Sequence, residues 1–112
     1  MKLTPAQIRN AAFRELIDQL HGQRQTVLDL WRQHTTGEHP LTTAELADKT
    51  GFSLLTLRPR TTELHQLGFL QCVGRVARQG GLYRALSTAE VRRRHQAQQQ
   101  ADTLAQHPQL SL

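Results

Sequence analysis

Helix starts are marked clearly in this 112-residue chain, and they constrain its fold more than any other feature of the sequence. A Ser or Thr followed three residues later by Glu or Gln forms a capping box, which begins a helix. Such boxes start at Thr4, Thr42 and Ser87, and each lies between two apolar residues with the spacing of a hydrophobic staple. The pattern predicts a mainly helical chain.

The segment from Thr42 to Leu67 is predicted to form two helices joined by a tight turn. The first helix is expected to end at Gly51, because glycine adopts the left-handed conformation that closes many helices. Ser53 can then cap the second helix. The inward stripe of that helix consists of Leu57, Thr61, Leu64 and Leu67. The arrangement predicts a helix-turn-helix over residues 41–67.

Two β-prone stretches follow, over residues 69–76 and 82–86, and the residues between them have the composition of a turn. They predict a β-hairpin with a basic tip. We therefore expect a mainly α fold with a small β-hairpin and extra helices at both termini. Its predicted parts are an N-terminal helix (1–22), a central unit (23–87) and a C-terminal basic, Gln-rich helix with a disordered tail (88–112).

Positive charge is concentrated in one part of the chain. Residues 1–53 carry six basic and six acidic side chains, whereas residues 54–94 carry eight arginines and two glutamates. This excess of +6 accounts for the whole net charge of +5, since the remaining residues add one aspartate. Arginine presents a planar fork of donors that fits phosphate groups and guanine edges. The pattern favours an anionic partner, although a basic surface also serves solubility alone.

The central unit resembles a winged helix-turn-helix domain of the MarR-like kind. The similar segments are residues 41–47 for the positioning helix, 53–64 for the recognition helix, 67–70 for the junction with the wing, and 80–86 for the returning strand. The Arg-Pro-Arg sequence at 58–60 also resembles small winged-helix proteins of bacteriophages. The resemblance implies a DNA-binding transcription regulator and a homodimer joined by its terminal helices.

The resemblance further implies two sets of contacts with double-stranded DNA. Helix 53–67 would read the major groove, and the wing (71–84) would lie along the backbone or in a minor groove. The residues implied to contact DNA are Ser53, Thr56, Arg58, Arg60, Thr62, Arg75, Arg78 and Gln79. Of these, Thr56, Arg58 and Arg60 are expected to specify bases, and phosphate contacts from arginine to position the domain.

Pro59 departs from the pattern of a regular recognition helix. A proline inside a helix removes one backbone hydrogen bond and collides with the preceding turn, at a cost of about 3 kcal/mol. Either the helix begins near Thr56, which places Pro59 in its first turn, or the helix is kinked and the carbonyl of Leu55 is left free. The later start costs less, so it is the one we expect.

The N-terminal helix carries an apolar stripe broader than so small a domain needs for its own core. The stripe is predicted to form a homodimer interface, and its members are Ile8, Ala12, Phe13, Leu16, Ile17 and Leu20. Two alternatives to a sequence-specific DNA reader stay open. One is a protein-interaction module, for example in phage replication or assembly. The other is an architectural DNA binder without sequence preference.

Other classes of function have little support in the residues. A phosphate-binding glycine loop, a nucleophile motif and paired catalytic carboxylates are all missing from the sequence, which argues against an enzyme. The six histidines and Cys72 are not spaced as metal ligands, so neither a metal nor a cofactor is expected. One cysteine allows no internal disulfide, and no apolar run is long enough to span a membrane. We expect a cytoplasmic protein without a membrane partner.

Overall fold

The computed structural model describes residues 5–35 and 39–106, with side chains for 11–35 and 39–101. Within these residues the chain forms five helices and one three-stranded antiparallel sheet. In chain order the elements are α1 (Pro5–Asp18), α2 (Gln23–His34), β1 (Leu41–Thr42), α3 (Thr43–Thr50), α4 (Leu54–Leu67), β2 (Leu70–Val76), β3 (Gly80–Ala85) and α5 (Thr88–Gln106). The predicted mainly helical fold with a small hairpin is confirmed, whereas the cap at Thr4 and the tail 107–112 lie outside the described residues.

The helix ends lie where the capping signals place them. Thr42 Oγ1 accepts a hydrogen bond from the Glu45 N–H at 3.2 Å, and Glu45 Oε1 accepts one from the Thr42 N–H at 3.0 Å. Ser87 and Glu90 form the same reciprocal pair at the start of α5. Gly51 ends α3 in the left-handed conformation with φ of 77°. These ends follow from interactions within one helical turn, which is why the sequence reveals them.

The capping pair at α5 makes the stability of that helix depend on pH. The pKa of Glu90 is lowered by the hydrogen bond from the Ser87 backbone and by the Arg84 guanidinium, which lies 3.2 Å away. A lowered pKa means that the ionised carboxylate stabilises the fold above the ordinary glutamate value of 4.5. This contribution is lost as the pH falls through the lower value of the folded state.

We therefore expect Glu90→Gln to lower the free energy of unfolding at pH 7 by about 0.5–1 kcal/mol, as for a weakened helix cap. The difference from the unsubstituted chain should shrink as the pH falls below 4.5. Thermal unfolding followed by circular dichroism at pH 7 and pH 3 measures both values. The control is Glu15→Gln, at an exposed position of α1, which should match the unsubstituted chain. A Glu90→Gln deficit of equal size at both pH values would contradict the assignment.

The position of Pro59 differs from the expectation. The helix α4 begins at Leu54, because the N–H groups of Thr56 and Leu57 both donate to the Ser53 carbonyl at 3.0 Å. The later start near Thr56 is therefore wrong, and Pro59 is the sixth residue of the helix. Proline has no N–H, so the Leu55 carbonyl receives no bond from it. Leu55 and Pro59 are both exposed, which places the missing bond on the solvent side of the helix.

The sheet has the strand order β1–β3–β2, and all its pairs are antiparallel. The strands β2 and β3 form the predicted hairpin, with a bulge between Cys72 and Gly74. The strand β1 is not predicted by the sequence. It consists of two residues, Leu41 and Thr42, which pair with Tyr83 and Leu82 of β3. So short a strand has no recognisable alternation, and it exists because β3 is available to pair with it.

The core lies between α2, α4 and the sheet, and α5 closes one side. Trp31 of α2 is fully buried at its centre. Its Nε1 donates to Thr61 Oγ1 of α4 at 3.3 Å, and its ring meets Tyr83 of β3 edge-on, with centroids 5.9 Å apart. The other buried apolar residues are Phe13, Val27, Leu28, Leu41, Leu46, Leu57, Leu64, Phe69, Leu70, Leu86 and Val91. Trp31 thus connects α4 to the hairpin and fixes their relative placement.

Part of the apolar stripe on α1 is used inside the chain. Phe13 is only 8% exposed, and its ring meets His95 of α5 edge-on while the Arg92 guanidinium lies 4.8 Å from the ring centroid. The expectation that Phe13 faces a second copy is therefore wrong. The rest of the stripe is Ala12, Leu16, Ile17 and Leu20, which are half-buried, and Ile8, whose side chain lies outside the described part. For these residues the homodimer stays a prediction.

Candidate nucleic-acid interface

The helix α4 has one buried face and one exposed face. Its buried positions are Leu57, Thr61 and Leu64. Leu55 lies two residues before Leu57, about 200° around the helix, and is therefore on the opposite side. The residues along this outward line are all exposed, and they are Leu55, Pro59, Thr62 and Gln66. The prediction that residues 53–67 form a helix with the leucine stripe inward is confirmed.

Arg58 is exposed on the flank of α4 that faces the hairpin. It precedes His65 by seven residues, which is two helical turns, so the two side chains share one side of the helix. The His65 ring contacts Tyr83 of β3, with ring centroids 5.3 Å apart. Among the residues that the structure describes, the Arg58 guanidinium forms neither an ion pair nor a hydrogen bond. Its charge is available to a partner.

Arg60 is held on the opposite flank of α4. Its Nη2 lies 2.9 Å from Glu63 Oε1, and Arg24 Nε of α2 lies 2.8 Å from Glu63 Oε2. The hydrogen bond from Arg24 lowers the pKa of Glu63, and the charges of both arginines act in the same direction. Two residues of α-helix turn Arg58 and Arg60 about 200° apart, so they lie on different flanks of α4, and of these two predicted base contacts Arg58 is the one whose charge is unpaired among the described residues.

The Arg24–Glu63–Arg60 cluster could be found only in part from the sequence. Arg60 and Glu63 have the i,i+3 spacing of neighbours on one helix. Arg24, in contrast, is separated from Glu63 by 39 residues and reaches it only because α2 packs against α4. The cluster pairs Arg60 but keeps a net charge of +1, because Arg24 and Arg60 share one carboxylate.

The three hydroxyl residues predicted as DNA contacts differ in their availability. Ser53 is exposed, and its Oγ accepts the Leu55 N–H at 3.2 Å. Thr62 is exposed, and its Oγ1 donates to the Arg58 carbonyl at 3.2 Å. Thr56 is half-buried. Because a hydroxyl has one donor and two acceptor sites, Ser53 and Thr62 retain capacity for a further bond.

The hairpin presents two arginines to solvent, Arg75 in β2 and Arg78 in the turn. Arg75 and Arg78 are exposed, and within the described part of the chain no side-chain partner is found for either. Arg78 has φ of 67°, which makes it the one non-glycine residue with positive φ in residues 5–35 and 39–106. For an ordinary residue this conformation costs about 1–2 kcal/mol. A glycine would avoid the cost, so the turn keeps a cation at a position that favours glycine.

Gln79 positions the turn. Its Oε1 accepts a hydrogen bond from Thr42 Oγ1 at 2.8 Å, and Thr42 is the residue that caps α3. The contact joins the tip of the hairpin to the start of the helix before α4. Gln79 is exposed, so the rest of its amide faces solvent. Of the predicted wing contacts, it is the one with a structural partner.

Three large apolar side chains are exposed in the described part of the chain, and sequence reasoning missed all of them. They are Phe52 (40%), Leu55 (82%) and Val73 (45%). Phe52 and Leu55 lie at the start of α4, whereas Val73 lies at the bulge of β2. The position of Leu55 opposite Leu57 is the signal that could have revealed it.

A metal centre and a membrane span find no candidates in the structure. In residues 5–35 and 39–106 there is no group of three or more His, Cys, Asp or Glu side chains that could hold a metal ion. None of the described helices combines the length and apolar character that crossing a bilayer requires. Cys72 is a free, exposed thiol on β2.

No protein-family model, no curated protein and no solved structure matches this chain. The interface is therefore characterised by its own geometry, which is a solvent-facing helix beside a hairpin. Arg58, Arg75 and Arg78 form the positive surface of these two elements. Such an arrangement can bind a polyanion.

Proposed function

We propose that the chain is a sequence-specific double-stranded DNA-binding protein, built as a winged helix-turn-helix and acting in transcription regulation. The order of α2, β1, α3, α4, β2 and β3 supports the proposal, since it has a positioning helix, a turn, a recognition helix and a wing in succession. The turn at Gly51 and the cap at Ser53 join α3 to α4 over three residues.

The observation that carries the proposal is the difference between paired and unpaired arginines. Arg60 and Arg84 form ion pairs with glutamates at 2.9 and 3.2 Å, and Arg92 lies over an aromatic ring. On α4 and the hairpin, Arg58, Arg75 and Arg78 have no such partner among the described residues. In the part of the chain that the structure describes, three further arginines outside these elements are also exposed and unpaired, namely Arg14, Arg93 and Arg94. Free positive charge is therefore retained on the helix and hairpin that would face a duplex, which is the electrostatic footprint of a nucleic-acid interface.

Binding would proceed through two kinds of contact. The outward face of α4 enters a major groove, where its first turns lie nearest the base edges, and Arg58 reaches a guanine. Arg75 and Arg78 bind phosphates and fix the orientation of the domain. A homodimer through the part of α1 that remains available would present two such helices to a palindromic site.

Arg58→Ala is expected to weaken binding to the preferred duplex by about 1–3 kcal/mol and to relax the preference at one base pair. Arg60→Ala is the matched control from the same helix, and it should leave base preference unchanged because Glu63 already holds that side chain. Fluorescence anisotropy on a duplex selected from a random library, repeated with single base-pair changes, measures both effects.

Two results would contradict this scheme. An unchanged base preference in Arg58→Ala would remove Arg58 from the reading set. Flat, weak binding of the unsubstituted chain to every duplex sequence would exclude a sequence-specific reader and leave the architectural alternative. The same titrations give the salt dependence of binding, which identifies the phosphate contribution.

A further inference from the structure

The outward line of α4 begins with an exposed leucine that the fold does not use. Leu55 is 82% exposed, the highest value among the large apolar side chains in the described part of the chain. Pro59 follows it one turn later on the same line, and Thr62 and Gln66 come after them. The line is therefore apolar at the start of the helix and polar toward its end.

The surroundings of Leu55 favour a polyanionic partner. Unpaired Arg58 lies on the adjoining flank of the helix. Among the described residues, the exposed apolar surface at this end of α4 is completed by Phe52, which is 40% exposed, and by the Pro59 ring. A stable protein–protein interface needs about 800 Å² on each partner with an apolar centre. Three apolar side chains beside a free arginine are too small a patch for that.

We propose that Leu55 reads the C5-methyl group of thymine in the major groove, and that the Pro59 ring extends its apolar surface. The inference rests on the proposed function and deepens it by naming a base. The methyl group of thymine is the apolar feature that base edges present in the major groove. The first turn of a recognition helix lies nearest those edges, and Leu55 is the second residue of α4.

The geometry also predicts the neighbourhood of that thymine. Arg58 lies three residues after Leu55, so both side chains come from the first two turns of the helix. Guanine is the base that arginine contacts most often. The preferred site should therefore place a thymine, or a 5-methylcytosine with the same methyl group, within a few base pairs of a guanine.

Replacement of thymine by deoxyuridine tests the proposal, because it removes the methyl group and keeps every hydrogen-bonding group. Each thymine of the selected duplex is replaced in turn, and the dissociation constant is measured by fluorescence anisotropy at constant salt. For the unsubstituted chain we expect one or two positions at which deoxyuridine weakens binding about three- to fivefold. This ratio of dissociation constants corresponds to the free energy of burying one methyl group. For Leu55→Ala, thymine and deoxyuridine should bind equally at those positions.

Val73→Ala is the matched control. It also shortens an exposed apolar side chain, but on the bulge of β2, and it should keep the preference for thymine. Leu55→Ala should unfold at the same temperature as the unsubstituted chain, because the side chain is exposed and alanine favours helix. The comparison of thymine with deoxyuridine on the unsubstituted chain needs no variant, so the test stands even if one misfolds.

The outcomes separate this inference from the proposed function. Equal binding to thymine and deoxyuridine at every position, with DNA binding intact, would overturn the role of Leu55 alone. A preference for thymine that survives in Leu55→Ala would also overturn it, since another residue would then read the methyl group. A lower mass in solution for Leu55→Ala, with no effect of deoxyuridine, would assign the leucine to a protein contact instead. Absence of salt-dependent binding to any duplex would overturn both proposals.

Discussion

Replacing Arg75 and Arg78 together by glutamine should weaken duplex binding roughly tenfold or more at physiological salt. Both side chains are exposed and lack a carboxylate partner among the described residues, so their full charge is available to phosphates. Each phosphate contact that is lost should lower the slope of log K against log salt concentration by about one. The expected change for the double variant is therefore about two, measured by anisotropy over a series of salt concentrations.

The matched variants distinguish charge from conformation. Arg14→Gln removes one positive charge from an exposed position of α1, and it should leave both affinity and slope nearly unchanged. Arg78→Gly removes the charge while favouring the left-handed backbone of the turn, so a loss of affinity there cannot come from a disrupted hairpin. A salt slope that stays the same in the double variant would show that the hairpin does not contact phosphate, and α4 would then have to supply the electrostatic contribution alone.

The cost at Arg78 also bears on why the hairpin has this sequence. The left-handed conformation is unfavourable for arginine by about 1–2 kcal/mol, and the same turn already contains Gly80, two residues later, with φ of 94°. Stability alone would place glycine or asparagine at Arg78. Retaining a long cation there is consistent with a selective advantage outside the fold, which DNA binding would supply.

The parts of the fold that the sequence predicts are those decided by neighbouring residues. The capping box at Thr42 and the left-handed ending at Gly51 each depend on one turn of chain, so their signals survive without any tertiary context. The strand β1 depends instead on β3, about 40 residues away, and its two residues give no local pattern. In the same way, Phe13 is buried because α5 returns to it, which no periodicity within α1 can indicate.

In the candidate site, too, local patterns predict some features, and others depend on contacts between distant parts of the chain. The exposure of Arg58 follows from its distance from the leucine stripe, whereas the ion pairing of Arg60 depends on Glu63, which Arg24 of another helix also contacts. The cost of Pro59 favours a helix start near Thr56, but the Ser53 cap outweighs that cost. The Ser53 carbonyl receives two N–H groups and its hydroxyl receives a third. The combined bonds fix the helix start and leave the proline inside.

Pro59→Ala should raise the free energy of unfolding by about 1–3 kcal/mol. Alanine restores the N–H that the Leu55 carbonyl lacks and removes the contact between the proline ring and the preceding turn. The gain is partly offset, because proline also restricts the unfolded chain by about 0.4–1 kcal/mol. For a domain of this size the net change corresponds to an increase in Tm of about 4–8 °C per kcal/mol, and denaturant and thermal unfolding both measure it.

Pro40→Ala is the matched control, since Pro40 precedes β1 and lies outside any helix. There the substitution should only loosen the unfolded chain and lower stability by about 0.4–1 kcal/mol. Equal losses in both variants would mean that α4 accommodates its proline without cost. Because Pro59 lies on the outward line beside Leu55, we expect Pro59→Ala to gain stability and to bind the selected duplex more weakly. A gain in folding stability together with a loss of DNA affinity would identify Pro59 as a residue that contacts DNA and is kept at the expense of helix stability.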